Sequence, residues 1–206
     1  MPPNIIYITT DDQGRKDVGC RAPDIKTPNI DELAAEGLRL EQYHAQPMCK
    51  PTRAALMTGR YPFCYGMQTA VIPQAGTYGL ASDDYLLPEI LRDAGYVAAM
   101  SGKWHLGHAK TAFWPRQRGF NSFYGALLGE IGHFTHRAVN GNADWYGNNE
   151  PLQEKRYDNI LFADEAVRVI DAHDLSRPLF LLLAFTTPHT PSGAARVCRP
   201  QQSDCR

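Results

Sequence analysis

Residues Asn4–Asp12 read NIIYITTDD, and this stretch decides how the chain folds. Its β-branched and aromatic residues suit an extended backbone and predict a buried strand over Asn4–Thr10. The strand delivers two carboxylates, Asp11 and Asp12, at its C-terminal end. In open α/β sheets that end is where ligands bind.

Outward from this strand, Thr27-Pro28-Asn29 introduces NIDELAAEGLRL, an amphipathic helix with Gly37 near its end. Arg53–Thr58 is a second helix, stopped by Gly59, and Leu86–Ala94 a third, stopped by Gly95. Tyr96–Met100 is expected to be another buried strand, leading into SGKWHLGH. Arg156–His173 carries apolar residues at Ile160, Ala163, Val167 and Ile170, a helical stripe. Leu179–Phe185 is then a strand that delivers TTPHTP. Strands alternating with helices predict an α/β layered fold with a largely parallel sheet. Residues Pro115–Asn149, rich in Gly, Asn and aromatics without a period, are expected to be long loops over the sheet edge. After Pro191 the chain has no apolar periodicity, so 3–191 is read as the domain and 192–206 as a tail without a core face.

The 206 residues suffice for a domain with a substantial core, and 43% hydrophobic against 21% charged residues is a globular composition. Lys plus Arg number 21 and Asp plus Glu 22, a balance that provides no footprint for nucleic acid or an anionic membrane. No apolar run spans a bilayer, and the N-terminus shows no secretory leader. Cys20, Cys49, Cys64, Cys198 and Cys205 form neither a disulfide scaffold nor a CxxC metal pattern.

The stretch PMCKPTRAALMTGRYP, residues Pro47–Pro62, sets Cys49 beside Lys50 and Pro51, with Arg53 about one helical turn later. Taken singly, the polar residues have ordinary readings. Adjacent aspartates often make a turn, a cysteine is commonly a small buried hydrophobe, and a histidine between prolines is commonly a loop residue. Together they describe a site. Paired aspartates suit a hard cation such as Ca²⁺ or Mg²⁺. A nucleophile at a helix start gains from the dipole, as does a bound oxyanion, and Arg and Lys neutralise an anion with charge on several oxygens. Lys103 and His105 alternate on an extended segment and so share a face, and histidines can carry the protons of a covalent mechanism. The ensemble reads as a hydrolase site for an anionic ester.

The same residues carry a resemblance. C-K-P-T-R followed by TGRYP resembles the signature of the type I sulfatases, and IIYITTDDQG, TPNIDELAAEGLRL, LLPEILRDAGYVAAMSGKWHLG, RGFNSFYG and PLFLLLAFTTPHTP follow the order of arylsulfatase B and its relatives. The resemblance implies an alkaline-phosphatase-like α/β/α sandwich, here incomplete. It implies that Cys49 is converted to formylglycine by a formylglycine-generating enzyme, its hydrated aldehyde being the nucleophile. It further implies that Asp11, Asp12 and the modified Cys49 hold one Ca²⁺, that Arg53 and Lys103 contact formylglycine and sulfate, that His105 takes the diol proton, and that His189 assists the leaving oxygen. Sulfated glycans are the implied substrates, and lysosomal or secreted the implied location; a phosphoester or phosphonate hydrolase of the same superfamily is the other enzymatic reading.

Two departures stand out. Lys50 replaces a small residue inside the motif, and Arg15 replaces an aromatic after the paired aspartates. The family's downstream Asp-Asn pair and second lysine find no counterpart after Pro191. The expectation is therefore the N-terminal part of a catalytic domain, at most weakly active, or a non-catalytic relative that binds sulfated ligands.

Overall fold

The computed structural model describes residues 2–69 and 71–190. The tail expected over 192–206, with Cys198 and Cys205, lies outside the described residues. The elements run β1 (Ile5–Asp11), α1 (Pro28–Glu36), α2 (Cys49–Thr58), α3 (Leu87–Asp93), β2 (Val97–Lys103), β3 (Ser122–Ala126), β4 (Tyr146–Gly147), β5 (Glu150–Pro151), α4 (Asp158–Asp171) and β6 (Leu179–Pro188). They build one sheet in the order β1-β6-β2-β3-β4-β5. The first four strands of that order are parallel, and the two short ones close it antiparallel.

Pleating assigns the two faces. Phe180, Leu182 and Ala184 of β6, with Ala98 and Met100 of β2, join Ala54 and Met57 of α2 in one core. Leu179, Leu181 and Leu183, with Ala99, meet Leu161, Phe162 and Ala166 of α4 in the other. Helices therefore cover both faces, the layered arrangement anticipated from the element order.

Four expectations need correction. The first strand is only half buried: Ile5 and Tyr7 pack inward, whereas Ile6 and Ile8 are 50% and 55% exposed. β1 lies at the end of the strand order, and α4 packs on β6, β2 and β3, so nothing described covers that face. The α4 stripe is also rotated. Ile160, Val167 and Ile170 are exposed, and the buried line runs through Leu161, Phe162 and Ala166. Helix α1 forms where expected but buries none of its residues. Finally, Pro115–Asn149 is not all loop. It contains β3, whose Phe123 and Ala126 are core residues.

β3 escaped pattern reading because it is short and holds a glycine. That glycine has a reason. Gly125 lies in register with Gly102 of β2, both have positive φ, and a Cβ on Gly102 would run into the Ala184 backbone of β6. Three strands thus approach as closely as they do because two side chains are missing. Gly102→Ala combines left-handed strain with a backbone clash and is expected to cost about 3–5 kcal/mol. Urea unfolding measures it, and a cost below about 1 kcal/mol would show that the strands can separate cheaply.

Candidate active site

The site forms where three parallel strands end beside the start of α2. At the end of β1 the pairing with β6 shifts register between Thr9 and Asp11, so that Asp11 pairs with Pro188. The shift buries Asp11 at 3% exposure, while Asp12 adopts φ 61° and turns its carboxylate outward. β6 ends in a cis Thr187–Pro188 bond followed by His189, whose Nε2 lies 3.6 Å from Asp12 Oδ2.

β2 contributes from the middle of the sheet. It runs three residues beyond the expected strand and ends on Lys103, which is fully buried and hydrogen-bonds Asp11 through Nζ. Two residues on, His105 has φ 61° while its backbone N–H still bonds Leu127 O at 3.1 Å. This turns the imidazole toward α2, where Nδ1 stands 3.2 Å from Cys49 Sγ. Helix α2 begins four residues earlier than the sequence suggests, at Cys49 itself. Its cap residue Met48 offers no side-chain acceptor, and the Thr52 hydroxyl ties the first turn to Gln46 O and Met48 O. One turn on, Arg53 donates to the Lys103 carbonyl and sits 3.9 Å from Asp11 Oδ1.

Of the seven residues anticipated from sequence, Asp11, Cys49, Arg53, Lys103 and His105 form one connected cluster. Asp12 and His189 pair at its outer rim. A cavity of about 450 Å³ opens on Asp11, Asp12, Cys49 and Arg53. A second, of about 200 Å³, is lined by His105, His189, Ile72, Gln74, Leu128 and Glu130.

The electrostatics follow from burial among cations. Burial first, then the charges of Lys103, Arg53, His189 and Lys50, hold His105 well below the ordinary histidine range. It is therefore neutral at pH 7, and Nδ1 can accept a proton from the side chain at position 49. Burial also lowers the pKa of Lys103, with Arg53 adding to the effect and Asp11 opposing it.

Asp11 and Asp12 are hard-oxygen donors of the kind calcium prefers, but a calcium shell needs roughly six to eight oxygens. Among the described residues no three His, Cys, Asp or Glu side chains gather where they could hold a metal ion. The donors fit calcium in kind and not in number. Calorimetric titration of the chain with calcium is expected to give a dissociation constant no tighter than about 10⁻⁴–10⁻³ M. A value below about 10⁻⁶ M would show that backbone carbonyls or residues beyond this cluster complete the shell.

Sequence reading missed several polar residues near the site. Lys50, read from sequence only as a departure within the motif, is buried, with its ammonium 5.7 Å from the Tyr78 ring centre. His133, Asp158 and Thr186 form a buried hydrogen-bonded group behind His189. Asp158 beginning a helix was the one local sign of that group.

Residues 3–204 match the family model described as Sulfatase. Arylsulfatase J of Mus musculus is 37% identical over 198 residues, covering 92% of this chain and 33% of the relative. N-acetylgalactosamine-6-sulfatase of Homo sapiens is 36% identical over 216 residues, covering 95% and 41%. Among solved structures, Ps i-CgsB in complex with k-i-k-neocarrahexaose superposes with a TM-score of 0.80 at 33% identity, over 93% of this chain and 46% of that one. BT4656 in complex with its substrate D-glucosamine-2-N,6-O-disulfate gives 0.72 at 27%, over 91% and 35%. The chain thus spans less than half the length of these relatives.

Proposed function

The chain belongs to the sulfatase family, with its alkaline-phosphatase-like fold, and from that premise we propose that residues 3–191 are part of a catalytic domain that hydrolyses sulfate esters of glycans through an oxygen nucleophile derived from Cys49. The observation that carries the proposal is the 3.2 Å contact of Cys49 Sγ with a neutral, buried His105 at the first residue of a helix. A formylglycine-generating enzyme would convert Cys49 to formylglycine, which supplies the hydrated aldehyde. Asp11 and Asp12, with the modified side chain, would contribute to a calcium site that lowers the charge repelling an anionic ester.

The remaining roles belong to this chain's own side chains. Arg53 is anchored by the Lys103 carbonyl and Asp11, so its position is set before substrate arrives. Lys103, fixed on Asp11, places positive charge beside position 49 for the sulfate oxygens. His105 receives the proton as the nucleophile is regenerated. His189, on the wall of the cavity it shares with His105, faces the ester oxygen that departs. The D-glucosamine-2-N,6-O-disulfate named as the substrate of BT4656 and the neocarrahexaose bound by Ps i-CgsB support a sulfated-sugar class, and family resemblance supports a lysosomal or secreted location.

The test is peptide mapping by mass spectrometry after co-expression with a formylglycine-generating enzyme, together with an aldehyde-reactive probe and turnover of an aryl sulfate. Aldehyde at position 49 with at most weak turnover is the expected result. Turnover from chains whose Cys49 remains a thiol would overturn it.

A further inference from the structure

Behind His189 lies a polar group that no step above uses. His133, Asp158 and Thr186 are 3%, 0% and 5% exposed, so their polar atoms depend on partners inside the protein, and among the described residues only His133 Nε2 of the three side chains has none. His133 Nδ1 lies 2.9 Å from Asp158 Oδ2, and the Thr186 hydroxyl donates to the same oxygen at 2.6 Å. The Asp158 backbone N–H donates to the His133 carbonyl at 2.9 Å. The next residue extends the connection: Asn159 Oδ1 accepts from the Thr186 backbone N–H at 3.4 Å, and Asn159 Nδ2 donates to the Thr187 hydroxyl. The first two residues of α4 thereby hold both threonines that precede Pro188 and His189.

Resting on the reading of His189 as the group facing the leaving oxygen, we propose that the Asp158–His133–Thr186 cluster is a positioning device that sets the place of His189, and that these three are positioning residues for the departure of the alcohol. The reason is mechanical. His189 sits on the outer rim, and its own side chain is held by the Thr190 carbonyl and a 3.6 Å approach to Asp12. Neither contact ties it to the core. The buried cluster does so through the two threonines, which Asp158 and Asn159 hold. A rim histidine that must meet an ester oxygen within hydrogen-bond distance needs such an anchor, because small displacements are costly to proton transfer.

The variants are Thr186→Val, which removes one hydroxyl at nearly constant volume, and Asp158→Asn, each in the full chain with folding checked by thermal unfolding. The first readout is the ring NMR resonances of His189, assigned by their loss in His189→Ala. They are expected to move or broaden in Thr186→Val while those of His105 stay in place. The second is turnover of two sulfate esters, one with an activated aryl leaving group and one with an unactivated alcohol. Thr186→Val is expected to slow the unactivated ester by up to about 10²-fold and the activated one by only a few-fold, as loss of general-acid assistance predicts. His189→Ala should share that bias. If it lacks the bias while the resonances still move in Thr186→Val, the acid role of His189 falls and the positioning role stands. Unmoved His189 resonances, with or without an equal slowing of both esters, would make the cluster purely structural and overturn the proposal.

Discussion

Alanine at position 49 is expected to reduce aryl sulfate turnover by about 10⁵–10⁶-fold, the scale on which removal of a covalent nucleophile acts. The physical reason, on the proposed mechanism, is that the cluster serves one reacting atom. His105 is neutral because it is buried among cations, and its Nδ1 is directed at Cys49 Sγ. Arg53 and Lys103 then hold positive charge for an anion, not for a group that attacks. On the proposed mechanism, these residues would still hold sulfate without a nucleophile at position 49 but would have no bond to make. Cys49 is only partly buried at a helix start, so the same change should alter stability by no more than about 1 kcal/mol. Turnover and the unfolding midpoint, measured on one preparation, separate the two effects. Residual activity within about tenfold of the parent would remove Cys49 from the mechanism.

A loss of stability as large as that of Gly102→Ala is expected from Lys103→Ala. Lys103 is 0% exposed and Asp11 3%, and the two are hydrogen-bonded where the sheet ends. Removing the ammonium leaves a buried carboxylate whose nearest remaining cation is Arg53 at 3.9 Å. Breaking a buried pair in this way costs about 3–5 kcal/mol, whereas replacing both partners by neutral groups of similar volume is far milder. The double variant Asp11→Asn, Lys103→Met should therefore unfold at a higher urea concentration than Lys103→Ala alone. If the single variant costs under about 1 kcal/mol, Asp11 reaches water or another cation more easily than its burial implies. The pH dependence has a definite sign. The folded pKa of Lys103 is lowered by burial, so the folded protein gives up this proton at a lower pH than the unfolded chain does. Below the folded pKa the charged form is a liability to the fold, and that liability fades as pH rises toward the ordinary lysine range. Lys103→Met should remove this part of the alkaline profile.

How much of this was legible beforehand depended on whether the deciding contacts were local. The sequence by itself determined the strand and helix order, because periodicity and the Gly and Pro stops are properties of neighbouring residues. It also drew attention to the seven candidate residues, Asp11, Asp12, Lys103, His105 and His189 through their place at or just past strand ends and Cys49 and Arg53 through the motif that resembles the family's. Tertiary structure alone decided which face of a strand or helix is covered. Ile6 and Ile8 carry the same residue type as Ile5, yet stand exposed because no helix among the described residues reaches that side of β1. Ile160 and Val167 lost to Leu161 and Phe162 for the core, because the rotation of α4 is set by the sheet beneath it. The Gly102–Gly125 register, the Lys103–Asp11 pair and the Asp158–His133–Thr186 cluster join residues 23, 92, and 25 to 53 positions apart. Those energies come from desolvation and close approach, which exist only once the chain has brought its distant segments together.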